Sequence, residues 1–262
     1  MKQVRAKKAL GQHFLTDLSI ARRIASTVDV LPELPVLEVG PGMGVLTQYL
    51  LADGRDVRVV EIDSESVDYL HANYPQLDGR IIHGDFLQMD LGEVMPEGEF
   101  AITGNYPYNI SSQIFFKLLE YRDRVPLCTG MLQREVAERL AAPAGGRTRG
   151  ILSVLLQAWY DIEYLFTVDE HVFSPPPKVK SGVIRLRRNG VTELGCDERL
   201  FKTVVKSAFG QRRKTLRNSL KPLLATADAS LNTEPIFNRR PEQLEVGEFI
   251  EITNKITASR QQ

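Results

Sequence analysis

The chain has 262 residues with 33 basic and 33 acidic side chains, and its 43% hydrophobic and 25% charged residues are the proportions of a globular protein with a full core. No apolar run is long enough to cross a bilayer, and the opening Met1-Lys2-Gln3-Val4-Arg5-Ala6-Lys7-Lys8 lacks the apolar centre of a signal peptide, so a cytoplasmic protein without membrane contact is expected. The two cysteines, Cys128 and Cys196, have no metal-ligand spacing, and no metal site is expected.

A neutral balance argues against a nucleic-acid partner until its distribution is read. Residues 1–23 hold six Lys or Arg against one Asp, and residues 185–221 hold eleven against three acids. Such basic stretches suit contact with phosphates, the alternative being exposed helices that simply carry charge.

In chain order, Leu10-Gly11-Gln12-His13-Phe14-Leu15-Thr16-Asp17 precedes an amphipathic helix with Ile20, Ile24 and Val28 on one face and Thr16 or Asp17 as its cap. By composition alone, His13 reads as a packing or capping residue. Val36-Leu37-Glu38-Val39 predicts a strand, and Gly40-Pro41-Gly42-Met43-Gly44 the tight turn into a helix over 45–52, where glycines let backbone approach a ligand. The Gly-x-Gly-x-Gly spacing is not the dinucleotide fingerprint. Glu38 beside the turn would repel a pyrophosphate and attract a cationic amino group, which points to S-adenosylmethionine over NAD.

A second strand over 57–60 ends in Glu61, whose carboxylate can accept from both ribose hydroxyls. A third, over 80–83, leads into Gly84-Asp85-Phe86, where Asp85 can accept from an adenine amino group while Phe86 or Ile62 packs on the ring. Singly, an acid at a strand end is usually a turn residue or helix cap. Four successive strand ends each delivering a suitable group favour a binding site.

The fourth strand, Phe100-Ala101-Ile102-Thr103, delivers Gly104-Asn105-Tyr106-Pro107-Tyr108-Asn109-Ile110-Ser111-Ser112. Pro107 fixes the local backbone so that neighbouring carbonyls can serve as acceptors. The Asn105 amide oxygen, one such carbonyl and the ring of Tyr108 together suit the exocyclic amine of a flat base, the alternative being a loop of turn-formers.

Helices over 112–120 and 133–140 flank a strand over 125–132, and Pro143-Ala144-Gly145-Gly146-Arg147-Thr148-Arg149-Gly150 reads as a mobile basic loop. There Arg147 and Arg149 are candidates for phosphate contact, with a solvated loop as the alternative. A helix over 151–158 and a strand over 160–168 follow. Phe173-Ser174-Pro175-Pro176-Pro177-Lys178-Val179 excludes helix and central strand and offers Phe173 as a second aromatic surface for the base, or as a core residue. A last strand over 181–186 precedes an all-helical region: a helix over 198–209, a cationic helix start at Gln211-Arg212-Arg213-Lys214-Thr215-Leu216-Arg217 and a closing helix over 241–255.

These residues together resemble the ribosomal RNA small-subunit adenine dimethyltransferases, the KsgA family. The resemblance rests on Gly11-Gln12-His13-Phe14-Leu15, Glu38-Val39-Gly40-Pro41-Gly42-Met43-Gly44, Gly84-Asp85-Phe86, Asn105-Tyr106-Pro107-Tyr108, the stretch from Phe173 to Ser181 and Ala208-Phe209-Gly210-Gln211-Arg212-Arg213-Lys214-Thr215-Leu216. It implies an α/β fold, a doubly wound Rossmann-like methyltransferase sheet of seven strands with an antiparallel last strand. The domains expected are a methyltransferase domain over 1–188 and a small helical RNA-binding domain over 189–262. It implies that His13, Leu15, Gly40, Glu61, Asp85 and Asn105 contact S-adenosylmethionine, which overrides the packing role for His13; Gly42, Ile62 and Phe86 join them from the strand-end reading. Asn105, Pro107, Tyr108 and Phe173 are expected to hold the target base, and Arg149, Lys178, Arg212, Arg213 and Lys214 the RNA. Two departures are His13, where the family commonly has Asn, and Tyr106, where it commonly has Leu.

The implied reaction is dimethylation at N6 of two adjacent adenosines in the 3'-terminal hairpin loop of small-subunit rRNA, with an immature 30S-type particle as the expected partner; a monomer is expected, although no residue pattern reveals the oligomeric state. The alternatives are an adenine methyltransferase acting on large-subunit rRNA or DNA, and a non-catalytic RNA-binding assembly factor.

Overall fold

A computed structural model describes residues 4–225, 231 and 233–260; Lys2 of the basic N-terminal stretch lies outside them. The strands are β1 (Phe14–Leu15), β2 (Val36–Val39), β3 (Val57–Glu61), β4 (Ile81–His83), β5 (Ala101–Thr103), β6 (Leu127–Gln133), β7 (Tyr160–Val168), β8 (Phe173–Ser174) and β9 (Ser181–Arg188). The helices are α1 (Leu18–Ala25), α2 (Thr47–Ala52), α3 (Ser64–Asn73), α4 (Leu91–Val94), α5 (Ser111–Glu120), α6 (Arg134–Ala141), α7 (Ile151–Gln157), α8 (Glu198–Gly210), α9 (Leu216–Ser219), α10 (Lys221–Leu224) and α11 (Val246–Ser259). No helix among the described residues is long and apolar enough to cross a membrane.

The short apolar runs become strands because they are covered on both faces: every residue of β2 and β5 is buried. Seven strands form one doubly wound sheet in the order β4-β3-β2-β5-β6-β9-β7. Strands β4, β3, β2, β5 and β6 run parallel, and β9 pairs antiparallel with β6, with Leu127 opposite Arg187 and Gln133 opposite Ser181. Strand order reverses direction between β2 and β5, the position at which open sheets of this kind form a ligand crevice. Val36, Val57, Val59, Leu70, Leu77 and Leu127 are among the residues of one continuous core cluster, each burial contributing about 1.5 to 3 kcal/mol.

Tyr106 is fitted into the core by a glycine on the next strand. Its ring is 1% exposed and meets Phe115 edge-on at 5.9 Å, and its hydroxyl donates to the Thr129 carbonyl at 2.5 Å. Gly130 has φ +150°, and a Cβ there would lie 2.6 Å from the Tyr106 ring and against the Gly104 carbonyl. Gly130→Ala should therefore cost about 1 to 3 kcal/mol, read as a lower urea midpoint; an unchanged midpoint would mean that the β5–β6 spacing adapts.

The compact units differ from the expected division at residue 188. One comprises Met1–Ala137 with Ile162–Arg188, and the other comprises Glu138–Asp161 with Asn189–Gln262. Segment 138–161 belongs with the C-terminal helices because helix–helix packing holds it: α7 buries Ser153, Val154, Leu155 and Leu156 and packs on α8. In the same unit α8 buries Phe201, Val204, Val205, Ala208 and Phe209, and the Phe209 ring stacks on Phe249 of α11 at 6.1 Å. The cationic stretch 211–214 is a turn between α8 and α9, not a helix start.

Candidate active site

The carboxyl ends of β4, β3, β2 and β5 are successive neighbours, and a cavity of about 360 Å³ opens beyond them. Its volume falls in the range of small-ligand sites. His13, Leu15, Gly40, Gly42, Glu61, Ile62, Asp85, Phe86 and Asn105 all line it, together with Pro107 and Tyr108. Each strand brings one chemical group: Asp85 after β4, Glu61 at the end of β3, the glycine turn after β2, and Asn105 after β5. Segment 10–15 forms a further wall.

The turn after β2 needs glycine for its shape. Gly40, Gly42 and Gly44 have φ of +68°, +56° and +76°, a region costly for other residues. The Gly42 N–H donates to Glu61 Oε2 at 2.9 Å, while the N–H groups of Ile62 and Asp63 each donate to Glu61 Oε1 at 2.9 Å. Three of roughly four acceptor positions of that carboxylate are thus filled from the backbone, and the spare one is on Oε2. Glu61 is 3% exposed, and burial raises its pKa against the lowering effect of those amides.

Glu38 is 1% exposed and accepts from Thr47 Oγ1 at 2.6 Å. Burial, partly offset by Thr47 and reinforced by the nearby Glu61, lifts its pKa to about 7. Asp85 accepts from the Leu87 N–H and from Gln88 Nε2, each at 2.9 Å, and Ile62 stands 48% exposed beside it at the cavity edge.

Beyond β5, Asn105 is held at its backbone by a bridge to Met131 of β6, with the Tyr106 N–H donating to the Met131 carbonyl at 2.9 Å. Its side-chain Nδ2 donates to the His13 carbonyl at 3.1 Å, which fixes the amide and leaves Oδ1 as an acceptor. The Tyr108 hydroxyl bonds Ser181 Oγ at 2.5 Å, and its ring lies 5.4 Å from that of His13, tilted by 32°. His13 Nδ1 in turn meets the Pro175 carbonyl at 2.8 Å. The arrangement offers a flat aromatic face beside a fixed amide acceptor.

A model of the ribosomal RNA adenine dimethylase family matches residues 3–258. The chain belongs to that family. Ribosomal RNA small subunit methyltransferase A of Parabacteroides distasonis is 66% identical over 253 residues, covering 97% of this chain and 94% of the relative. The protein of the same name from Flavobacterium johnsoniae is 58% identical over 258 residues, covering 98% of each. Among solved structures, the 23S rRNA methyltransferase ErmE is similar with a TM-score of 0.65 and 29% identity, covering 91% of this chain and 99% of that one. A dimethyladenosine transferase from Plasmodium falciparum shares the fold, with a TM-score of 0.77 and 22% identity over 94% of this chain and 98% of that one.

In this member of the rRNA adenine dimethylases, two of the residues expected from sequence stand elsewhere. Phe173 is 4% exposed, pairs with Leu15 across the β1–β8 ladder and belongs to a core cluster with Ile24, Leu46, Met131 and Val183. It does not line the cavity, so the core reading holds and the second stacking surface does not. Arg149 is fully buried, with Nη1 donating to the Ala142 carbonyl at 2.8 Å and to Gln157 Oε1 at 2.5 Å. Burial pulls its pKa below the usual guanidinium range, and it ties the 142–157 segment together instead of reaching solvent. Lys178, Arg212, Arg213 and Lys214 are exposed. The sequence reading missed Tyr74, which lines the cavity and donates from its hydroxyl to the Gly44 carbonyl at 3.0 Å. The available signal was Gly44, where a Cβ would meet that ring at 2.5 Å.

Proposed function

We propose that this protein transfers methyl groups from S-adenosylmethionine to N6 of two adjacent adenosines in the 3'-terminal hairpin loop of small-subunit rRNA, giving two dimethyladenosines during assembly of the subunit. The observation that carries the reading is the polarity of the cavity: carboxyls Glu38, Glu61 and Asp85 line three neighbouring strand ends, Asn105 lines the fourth, and no Lys or Arg is among the described lining residues. That set fits a ligand with an amino group, a ribose and an adenine, and does not fit a pyrophosphate.

Glu38 faces the amino group, Glu61 takes a ribose hydroxyl on Oε2, Asp85 accepts from the adenine amine, and Ile62 with Phe86 packs on its ring. Asn105, Gly40, Gly42, His13 and Leu15 complete the contacts. When bound, the cofactor supplies a methyl group on a cationic sulfur. Asn105 Oδ1 takes one N6 hydrogen of the target base. A main-chain carbonyl of the Tyr106–Pro107 segment takes the other; that of Pro107 also accepts from the Ile110 N–H at 3.2 Å. Tyr108, anchored through Ser181, stacks the base, a contact of about 1 to 3 kcal/mol. The side chains of Asn105 and Tyr108 are poor bases near neutral pH, burial having raised the Tyr108 pKa further, and the N6 proton leaves to water.

Exposed Arg212, Arg213 and Lys214, with Lys178, bind RNA phosphates. Charge reversal at 212–214 should weaken RNA binding and lower the salt slope by roughly 0.7 to 0.9 for every phosphate no longer neutralised; an unaltered slope would remove the patch from the interface.

A large-subunit substrate is favoured only by the 29% identity to ErmE, against 58% and 66% to the small-subunit enzymes. Incubation with labelled S-adenosylmethionine and unmethylated ribosomal subunits, followed by nucleoside digestion, tests the reading. Label in N6,N6-dimethyladenosine of the small subunit is expected. Label confined to the large subunit or to DNA would replace the substrate, and RNA binding without transfer would leave an assembly factor.

A further inference from the structure

The N-terminal wall of the cavity is tied down by a residue that does not itself line the cavity. Lys7 Nζ pairs with Asp63 and, at 3.2 Å, with Glu65. The Lys7 N–H donates to Gln12 Oε1 at 2.8 Å, and Gln12 Nε2 donates to Asp63 Oδ2 at 3.3 Å, closing a ring of three residues. Asp63 is 2% exposed, and its backbone N–H is one of the amides that hold Glu61. Burial alone would raise the Asp63 pKa, but the bonds from Lys7 and Gln12 and those at the start of α3 outweigh it and hold the carboxyl below its usual range. At the far end of the same segment, the His13 carbonyl accepts from Asn105 Nδ2, and Leu15 is fixed in β1 against Phe173. Residues 7–15 therefore run from the loop that holds Glu61 to the amide of Asn105.

We infer that Lys7 is a positioning residue: its bond to Asp63 fastens residues 7–15 along the cavity wall and, through the His13 carbonyl, keeps the Asn105 amide oxygen turned toward the incoming amine. This rests on the cofactor and amine roles proposed above. A solvent-exposed ion pair usually contributes little. Here one partner is a buried carboxylate, and removing its cation leaves that charge under-compensated next to Glu61. The effect is local, because Leu15 and the core behind it keep their own ties.

The test uses Lys7→Ala and Lys7→Arg in the full chain. The first readout needs no ligand: amide hydrogen exchange over residues 8–14 should quicken by roughly tenfold in Lys7→Ala while protection in β2, β3 and β5 stays as it was. The second is S-adenosylhomocysteine affinity by calorimetry, expected to weaken about fivefold. The third is kcat at saturating cofactor, expected to fall with the KM for RNA unchanged; Lys7→Arg should restore all three. Unchanged exchange over 8–14 in Lys7→Ala would overturn the inference, as would a loss of protection spread evenly over the whole chain. A wild-type chain that binds no S-adenosylhomocysteine would remove the cofactor reading, and the exchange result alone would then uphold or overturn the latch.

Discussion

Asn105→Ala should lower methyl transfer by about 10²- to 10³-fold, the usual effect of deleting one fixed hydrogen-bonding group at a reacting centre, with RNA affinity unchanged. Three features set the size of the effect. The Asn105 backbone is pinned to Met131, its Nδ2 is taken by the His13 carbonyl, and the remaining Oδ1 is the acceptor proposed for the target amine. Alignment of this kind can supply roughly 7 to 11 kcal/mol of a barrier, of which a single hydrogen bond carries a part. Alanine keeps the backbone bridge and removes only the acceptor, so kcat falls while the RNA-binding surface stays intact. Single-turnover rates with unmethylated small subunits, beside filter-binding affinities, separate the two. Unchanged transfer would remove Asn105 from the reacting centre.

The second large effect concerns Glu38 and pH. Burial lifts its pKa from the usual 4.5 to about 7, so the folded chain holds that proton more tightly than the unfolded chain. The associated stability is complete below about pH 4.5 and is lost as the pH rises through about 7, a difference of about 3 kcal/mol. Glu61, also raised by burial, acts in the same direction. The ligand-free protein should therefore melt at a lower temperature at pH 8 than at pH 5.5, and Glu38→Gln should flatten most of that slope. Cofactor affinity should run the other way. If the amino group of S-adenosylmethionine pairs with ionised Glu38, as proposed, affinity should rise with pH through about 7, and Glu38→Gln should bind weakly with little pH dependence. Calorimetry at pH 6 and pH 8 reads this directly; equal affinities in the wild type would place the amino group away from Glu38.

The fold was legible wherever the signal was local. Val36-Leu37-Glu38-Val39 and Phe100-Ala101-Ile102-Thr103 announce buried parallel strands through largely apolar character, and the polar residues that follow mark the rim of a crevice. The cavity is lined by those strand-end residues for that reason. What escaped depends on partners distant in the chain. Phe173 looked available because its prolines keep it out of regular structure, yet a two-residue ladder with Phe14 and Leu15 folds it into the core. Arg149 sits in a glycine-rich basic stretch that reads as solvated, and only the Ala142 carbonyl and Gln157 decide its burial. Tyr106 and Gly130 fit each other across strands, and Lys7 finds Asp63 across the cavity wall; no period in the sequence announces either. The grouping of 138–161 with the C-terminal helices was likewise invisible, because α7 is a short apolar helix that suits either unit.

In the proposed function, one cavity, lined from four strand ends, carries the cofactor and holds Asn105 next to the transferable methyl group. A crystal structure with S-adenosylhomocysteine tests this most directly. The expected result is the adenine at Asp85 and Ile62, the ribose at Glu61, the amino group at Glu38 and the sulfur facing Asn105. Ligand bound outside the space between Gly40, Glu61 and Asp85, or an Asn105 amide turned away from the sulfur, would contradict it.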